Sequence, residues 1–523
     1  MMKRIRKTSI ALNVFFALFS ITIFSQALAV AGQAPPSPAA CASLASLSLP
    51  NTTITAAQSV AAGAFTPPRG AGGGNADAYK NLPAFCRVAA TVKPTSDSNI
   101  KMEVWMPATG WKGTFQGNGS AGIGGSMPYG DLAASLRAGY ATAGSDTGHE
   151  GDSSYALSHP EQVIDFGDRS GHEVPVKAKA IIAAYYGNGP QFSFINGCGG
   201  GAQTAQLAAQ KYPNDYDAIA ITGWSDKTHH IFHQMWMWDA THKDEASYIP
   251  AEKFTMLNKA VIQACDALDG VNDGVLEDPR ACKFDPEQIQ CAAGANGANC
   301  LTAPQVQAVR KIYAGPRDPL TFRQIFPGPQ PGSELTWYRF VNGQRPFDLS
   351  ADFFKYFVFK DANWDHIKRP VNFHSDVALS DRPENLVANA ANPDIRQFIA
   401  RGGKLLMWEG WSDTSIPPDA AIDYYGSVVS TAGARSAKDS VRLFMVPGKI
   451  HCGFEGSHGT FDVGAELKKW VDTGKAPDRI IISGVAEGNV ARTRPLCPYP
   501  QVATYTGNGN TNDAASFTCN TPK

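Results

Sequence analysis

The chain has little net charge, no block of basic residues beyond its first seven positions, no Cys-x-x-Cys pair and no internal repeat. A formal charge of −1 with no Lys/Arg run beyond that start gives no footprint of a protein that holds nucleic acid through its phosphates. No clustered Cys/His set has the spacing of a zinc site. The apolar stretch Ile10 to Phe24 is shorter than the ~20 residues of a membrane-crossing helix, which excludes an anchoring span there. Charged residues are 18% against 43% hydrophobic, the balance of a soluble globular enzyme and not of a disordered chain.

What is present starts with length. At 523 residues the chain exceeds one compact core, so a large catalytic-type domain with a second domain or a big insertion is expected. Residues 1–29 read as a secretion signal. Lys3, Arg4, Arg6 and Lys7 precede the apolar stretch, and Ala27-Leu28-Ala29 carries small residues where a signal peptidase reads. Its removal moves the formal charge from −1 to −5. The expected location is secreted or periplasmic, with no membrane partner after removal of the signal. Ten cysteines in an exported chain imply disulfides, and their even number allows five. Spacing alone leaves the connectivity open.

The most specific segment is Phe194-Ile195-Asn196-Gly197-Cys198-Gly199-Gly200-Gly201-Ala202. A strand over Gln191 to Asn196 and a helix over Gln203 to Tyr212, stopped by Pro213, are expected on either side. That is the strand, sharp turn and helix of a hydrolase nucleophile elbow, which presents its central side chain at a helix N-terminus. A serine hydrolase has Gly-x-Ser-x-Gly here; this chain has Gly199 on the serine's seat.

Two later segments follow strand-like runs: Glu409-Gly410-Trp411-Ser412-Asp413 after Lys404 to Trp408, and Val446-Pro447-Gly448-Lys449-Ile450-His451-Cys452 after Val441 to Met445. The order elbow, Asp, His is that of α/β-hydrolases. Together with Gly117-Asn118-Gly119-Ser120, Ser145 to His149 and Ala491 to Pro500, these segments resemble the tannase and feruloyl esterase family over nearly all of the chain. The resemblance implies an α/β-hydrolase core with a large inserted lid, and hydrolysis of carboxylic esters of aromatic acids. It implies Asp413 and His451 as triad partners of the seat at Gly199, and the N–H groups of Gly119 and Gly200 as the oxyanion hole. It also implies a disulfide between Cys198 and Cys452, and bridges joining Cys41 with Cys86, Cys265 with Cys282, Cys291 with Cys300, and Cys497 with Cys519.

Asp266-Ala267-Leu268-Asp269-Gly270-Val271-Asn272-Asp273-Gly274-Val275 has carboxylates at close, regular spacing with glycines that turn the backbone inward. Such a pattern suits a hard cation with many oxygen ligands, calcium better than magnesium, and equally suits a polar Asp/Gly turn. The resemblance implies structural calcium in the lid, held by Asp266, Asp269 and Asp273 and the carbonyls of Val271 and Val275.

The expected organisation is an arm within a first core part, 30–223, a lid over 224–393, and a second core part over 394–523. His229, His230, Phe232, His233, Trp236 and Trp238 open the lid. They suit an aromatic-substrate pocket, or alternatively aromatics in the lid core with histidines at the surface.

Relatives by resemblance carry histidine where this chain has Glu409, in the substrate pocket. A carboxylate there is a candidate general base, nucleophile or reader of substrate charge. Three functions fit: an ester hydrolase whose serine has been replaced; a hydrolase in which His451 or Glu409 activates water; and a binding protein for phenolic esters. Ser120 and Ser412 are considered as substitute nucleophiles, and both are expected to support loops instead.

Overall fold

The computed structural model describes residues 40–68, 77–120, 122–223, 226–387, 389–486 and 489–522. The expected signal segment and parts of the N-terminal arm lie outside the described residues.

Nine strands form one sheet: β1 (Thr52–Val60), β2 (Phe85–Val92), β3 (Ile100–Pro107), β4 (Thr114–Asn118), β5 (Ala141–Ser145), β6 (Phe192–Cys198), β7 (Ala218–Thr222), β8 (Lys404–Gly410) and β9 (Val441–Val446). Their order is β1-β2-β3-β5-β4-β6-β7-β8-β9. The first three pair antiparallel, β3 meets β5 antiparallel, and every pairing from β5 to β9 is parallel. Parallel strands with both faces covered read as continuous apolar runs, and β7, Ala-Ile-Ala-Ile-Thr, is buried throughout.

The two-residue period of a strand sorts these runs into two cores. Ile219, Ile221, Leu405, Met407, Leu443 and Met445 join one cluster. Their alternates Ala218, Ala220, Leu406, Trp408, Phe444 and Val446 join the other. A slip of one residue in any of these strands would exchange the two sets.

Between β7 and β8 no strand joins this sheet among the described residues. That segment is helical and has its own apolar core, built from residues such as Met237, Phe254, Leu257, Val309, Trp337 and Phe340. After β9, two antiparallel hairpins follow, β10 (Ile480–Ala486) with β11 (Asn489–Leu496) and β12 (Val502–Tyr505) with β13 (Phe517–Asn520). Five disulfides join Cys41–Cys86, Cys198–Cys452, Cys265–Cys282, Cys291–Cys300 and Cys497–Cys519. No described helix is long and apolar enough to cross a membrane.

Candidate active site

The site lies beyond the carboxyl ends of β6, β8 and β9, where open α/β sheets place their ligands. β6 runs to Cys198, two residues further than its sequence suggested, and the helix begins at Gly200 instead of Gln203. The turn between them is therefore a single residue, Gly199, with φ 56° and ψ −115°. A side chain in that conformation is strained, and glycine adopts it freely. Gly199 thus has the backbone of an elbow turn and no side chain.

The turn is tight because its neighbours lack side chains. A Cβ on Gly119 would overlap Cα of Gly201, and one on Gly200 would come within 2.8 Å of the Ser120 carbonyl oxygen. The loop after β4 therefore lies backbone against backbone on the start of the elbow helix. Gly200 occupies the first helical position, where an N–H has no partner within the helix. That is a donor of the kind an oxyanion hole needs.

His451 Nδ1 lies 2.8 Å from Oδ2 of Asp413. Asp413 is fully buried and a quarter of the His451 side chain is exposed, so the ring bridges the interior and the open site. Burial would raise the Asp413 pKa, but His451 outweighs it and holds the carboxyl below its ordinary value. Burial likewise opposes protonation of His451, and Lys449 adds to this, but the Asp413 carboxylate together with Glu409 outweighs them, leaving the imidazole above its ordinary 6.5. With Nδ1–H donated to Asp413, Nε2 is left as the acceptor. It points at the seat: a Cβ built on Gly199 would lie 3.6 Å from Nε2, its one contact within 4 Å among the described residues beyond its chain neighbours.

Gly223, at the end of β7, was not singled out in the sequence. A Cβ there would lie 2.7 Å from Cε1 and 2.9 Å from Nδ1 of His451. Its N–H donates to Oε2 of Glu409 at 2.7 Å, and the preceding Thr222 carbonyl accepts the Gly199 N–H at 3.3 Å. One short stretch of backbone therefore touches the seat, the histidine ring and the acid. Glu409 is 2% exposed, and its other oxygen accepts the Gly410 N–H at 2.9 Å. Burial pushes its carboxyl up to about 7, the nearby Asp413 charge adds to this, and Lys449 opposes it. Lys449, also missed, is buried with its Nζ donating to the Ile450 carbonyl and 4.9 Å from the centre of the Trp408 ring.

Neither alternative serine faces the seat as a nucleophile. Ser120 Oγ donates to the Ser126 carbonyl and Ser412 Oγ to that of Gly332. Cys198, His451 and Cys452 gather three metal-type ligands, but both sulfurs are in the disulfide and offer no thiolate.

Of the histidines that open the insertion, His230 and His233 are buried, which corrects the expectation of a surface position; the ring of His233 packs below the Asp413 loop with Nε2 3.1 Å from the Thr414 carbonyl. His229 lies between Asp226 and Asp381, and Phe232 is core.

In the Asp/Gly segment, Asp266 accepts the Gly274 N–H, and Asp269 accepts those of Val271 and Glu277, so the loop closes on two carboxylates. Burial, with Asp273 and Asp266 adding to it, pushes Asp269 up to about 6. Asp266, Asp269 and Asp273 are half-buried, and their carboxylates do not converge as a trio within the reach of one ion among the described residues. Asp273 fits least simply, because one of its oxygens already meets Arg494 and His458.

The sequence pattern described as "Tannase and feruloyl esterase" matches residues 86–520. An uncharacterised esterase of Xanthomonas campestris pv. campestris is 38% identical, covering 92% of this chain and 91% of that protein. A probable feruloyl esterase B-1 of Aspergillus flavus is 31% identical, covering 83% and 86%. The crystal structure of feruloyl esterase B from Aspergillus oryzae superposes with a TM-score of 0.81 at 27% identity, covering 90% of this chain and 97% of that one. With an α/β-hydrolase sheet, an elbow turn at Gly199 and an Asp413–His451 pair aimed at it, the chain belongs to the tannase and feruloyl esterase family.

Proposed function

We propose that this chain is an exported carboxylic ester hydrolase for esters of aromatic acids, in which the seat of the nucleophile is Gly199 and water takes the attacking role. The observation that carries this reading is the elbow backbone at Gly199 with His451 Nε2 3.6 Å from its Cβ position. The names of the feruloyl esterase relatives support the substrate class.

In this reading the ester carbonyl lies over Gly199 with its oxygen toward the N–H groups of Gly119 and Gly200. His451 Nε2 takes a proton from water as the water oxygen bonds to the carbonyl carbon, and Asp413 stabilises the imidazolium. The imidazolium returns the proton to the departing alkoxide, giving acid and alcohol. Triad enzymes stripped of one member retain roughly 10³ to 10⁴-fold catalysis over water, which sets the scale for a site without a serine. Glu409 is not assigned the base, because backbone N–H groups occupy both of its oxygens.

Residues 224–393 are proposed to act as a lid. Asp266, Asp269 and Asp273 with the carbonyls of Val271 and Val275 are proposed to hold calcium, which would brace that segment and take no part in the chemistry.

The substrate class is tested with methyl esters of benzoic, cinnamic and short aliphatic acids, following free acid against protein concentration. A preference of about tenfold or more for aromatic acyl groups is expected. Equal rates on aliphatic esters would contradict the class, and tight binding with the ester recovered intact would favour a binding protein.

A further inference from the structure

A cavity of about 650 Å³ opens between the C-terminal half of the helix Lys227–His242, the loop 317–322 and residues 366–373. None of the elbow, triad or oxyanion residues lines it. Its size lies within the ~300–1,000 Å³ usual for small-molecule sites.

Its wall is aromatic. Trp236 and Phe373 meet edge to face at 5.2 Å, and Trp236 is fixed by its Nε1–H donating to the Lys311 carbonyl at 2.7 Å. Phe322 at the rim is 74% exposed and has φ 59°, a conformation costly for a bulky side chain. The loop that holds it is a built turn: Asp318 accepts the N–H groups of Leu320 and Thr321, and Arg317 donates to the Phe322 carbonyl.

The charge is lopsided. Both acids in the wall are already engaged, Asp239 with His366 and Asp318 with His374, each at 2.8 Å. Lys243, Lys311 and Arg317 line the same wall as exposed residues, Arg317 donating to the Phe322 carbonyl. Aromatic rings and cationic residues in one cavity wall match a ligand with an apolar ring and one negative charge.

We propose that this cavity is a binding site for a small aromatic carboxylate, separate from the site at Gly199. The ring would lie against Trp236 and Phe322, and the carboxylate would be held by Lys311 with Lys243 or Arg317.

Benzoate and its neutral analogue benzyl alcohol are titrated onto the whole secreted chain, following heat and tryptophan fluorescence, and repeated on Lys311→Ala and Trp236→Ala. Circular dichroism and melting temperature establish that each variant folds, and Lys311→Met serves if the alanine variant does not. Expected are benzoate binding about tenfold tighter than benzyl alcohol, and at least about a fivefold loss in both variants. Benzoate binding that is absent, unaltered in both variants, or no tighter than benzyl alcohol would overturn the proposal. Binding at the elbow would survive both substitutions, so the two sites are distinguished.

Discussion

The N–H of Gly223 donates to Oε2 of Glu409 at 2.7 Å, and the same glycine forms the surface on which the His451 ring rests. Gly223→Ala would place a methyl group 2.7 Å from Cε1 of that ring and require φ 54° of an alanine. The ring has to move away from the seat. A misplacement of about 1 Å costs roughly 10²-fold in rate, so ester turnover should fall by about that factor, in the parent and in Gly199→Ser alike, with substrate binding less affected. An unchanged rate would show that His451 is not positioned by this contact.

The acid limb of the pH profile should belong to His451. Its imidazole is held above the ordinary 6.5 by Asp413, and only the neutral ring can accept a proton. Turnover should therefore rise with pH and reach half its plateau above 6.5, and Asp413→Asn should shift that midpoint downward while lowering the rate. A profile flat from pH 5 to 9 would remove His451 as the base.

Glu409 should weaken the fold as pH rises. Its carboxyl is pushed up to about 7 in the folded state against an ordinary 4.5, so the folded chain binds more protons than the unfolded one between these values. Stability from this group is full below 4.5 and is lost as pH rises toward 7. Glu409→Gln removes the titration, so the melting temperature of the variant relative to the parent should be higher at pH 8 than at pH 5, whatever its constant offset. A difference independent of pH would show that Glu409 ionises as it does when unfolded.

Calcium removal should act on stability before chemistry. A ligand present at 100 times its dissociation constant stabilises by about 2.7 kcal/mol, so chelation should lower the melting temperature by a few degrees, with calcium restoring it. Asp269→Asn should melt lower than the parent and no longer respond to calcium. A chelator-insensitive parent would leave the segment as a polar turn.

The elbow was legible because its spacing is local: strand, one turn residue and helix fall within twenty residues, and glycines mark where backbones approach. Asp413 and His451 were singled out because each follows a strand-like apolar run in the order elbow, Asp, His, and because the resemblance places the triad partners there; the runs are strands β8 and β9. The contact of Gly223 with Glu409 spans 186 positions and depends on β7 and β8 being neighbours in the sheet, which no local pattern encodes. Glu409 likewise suggested an acid open to substrate, whereas strand alternation carries it to a buried position bound by amides. The burial of His230 and His233 follows from packing of a helix whose apolar and polar residues are too mixed for its inner face to be read from periodicity. The pocket beside Trp236 joins three segments far apart in sequence.

The central claim is that the site is assembled around a missing side chain. It is tested most directly by comparing hydrolysis of aromatic-acid esters by the parent and by Gly199→Ser, calcium being present in both. The geometry predicts that there is room for the serine Cβ, whose contact among the described residues beyond its chain neighbours is His451 Nε2 at 3.6 Å, at the cost of the strained backbone that an elbow imposes, and that turnover rises by at least about 10²-fold. A folded Gly199→Ser variant no faster than the parent would contradict the claim that the seat is in working register with the histidine and the oxyanion donors; if both are silent the hydrolase reading fails with it, whereas a parent that turns over keeps the reaction with water activated at His451.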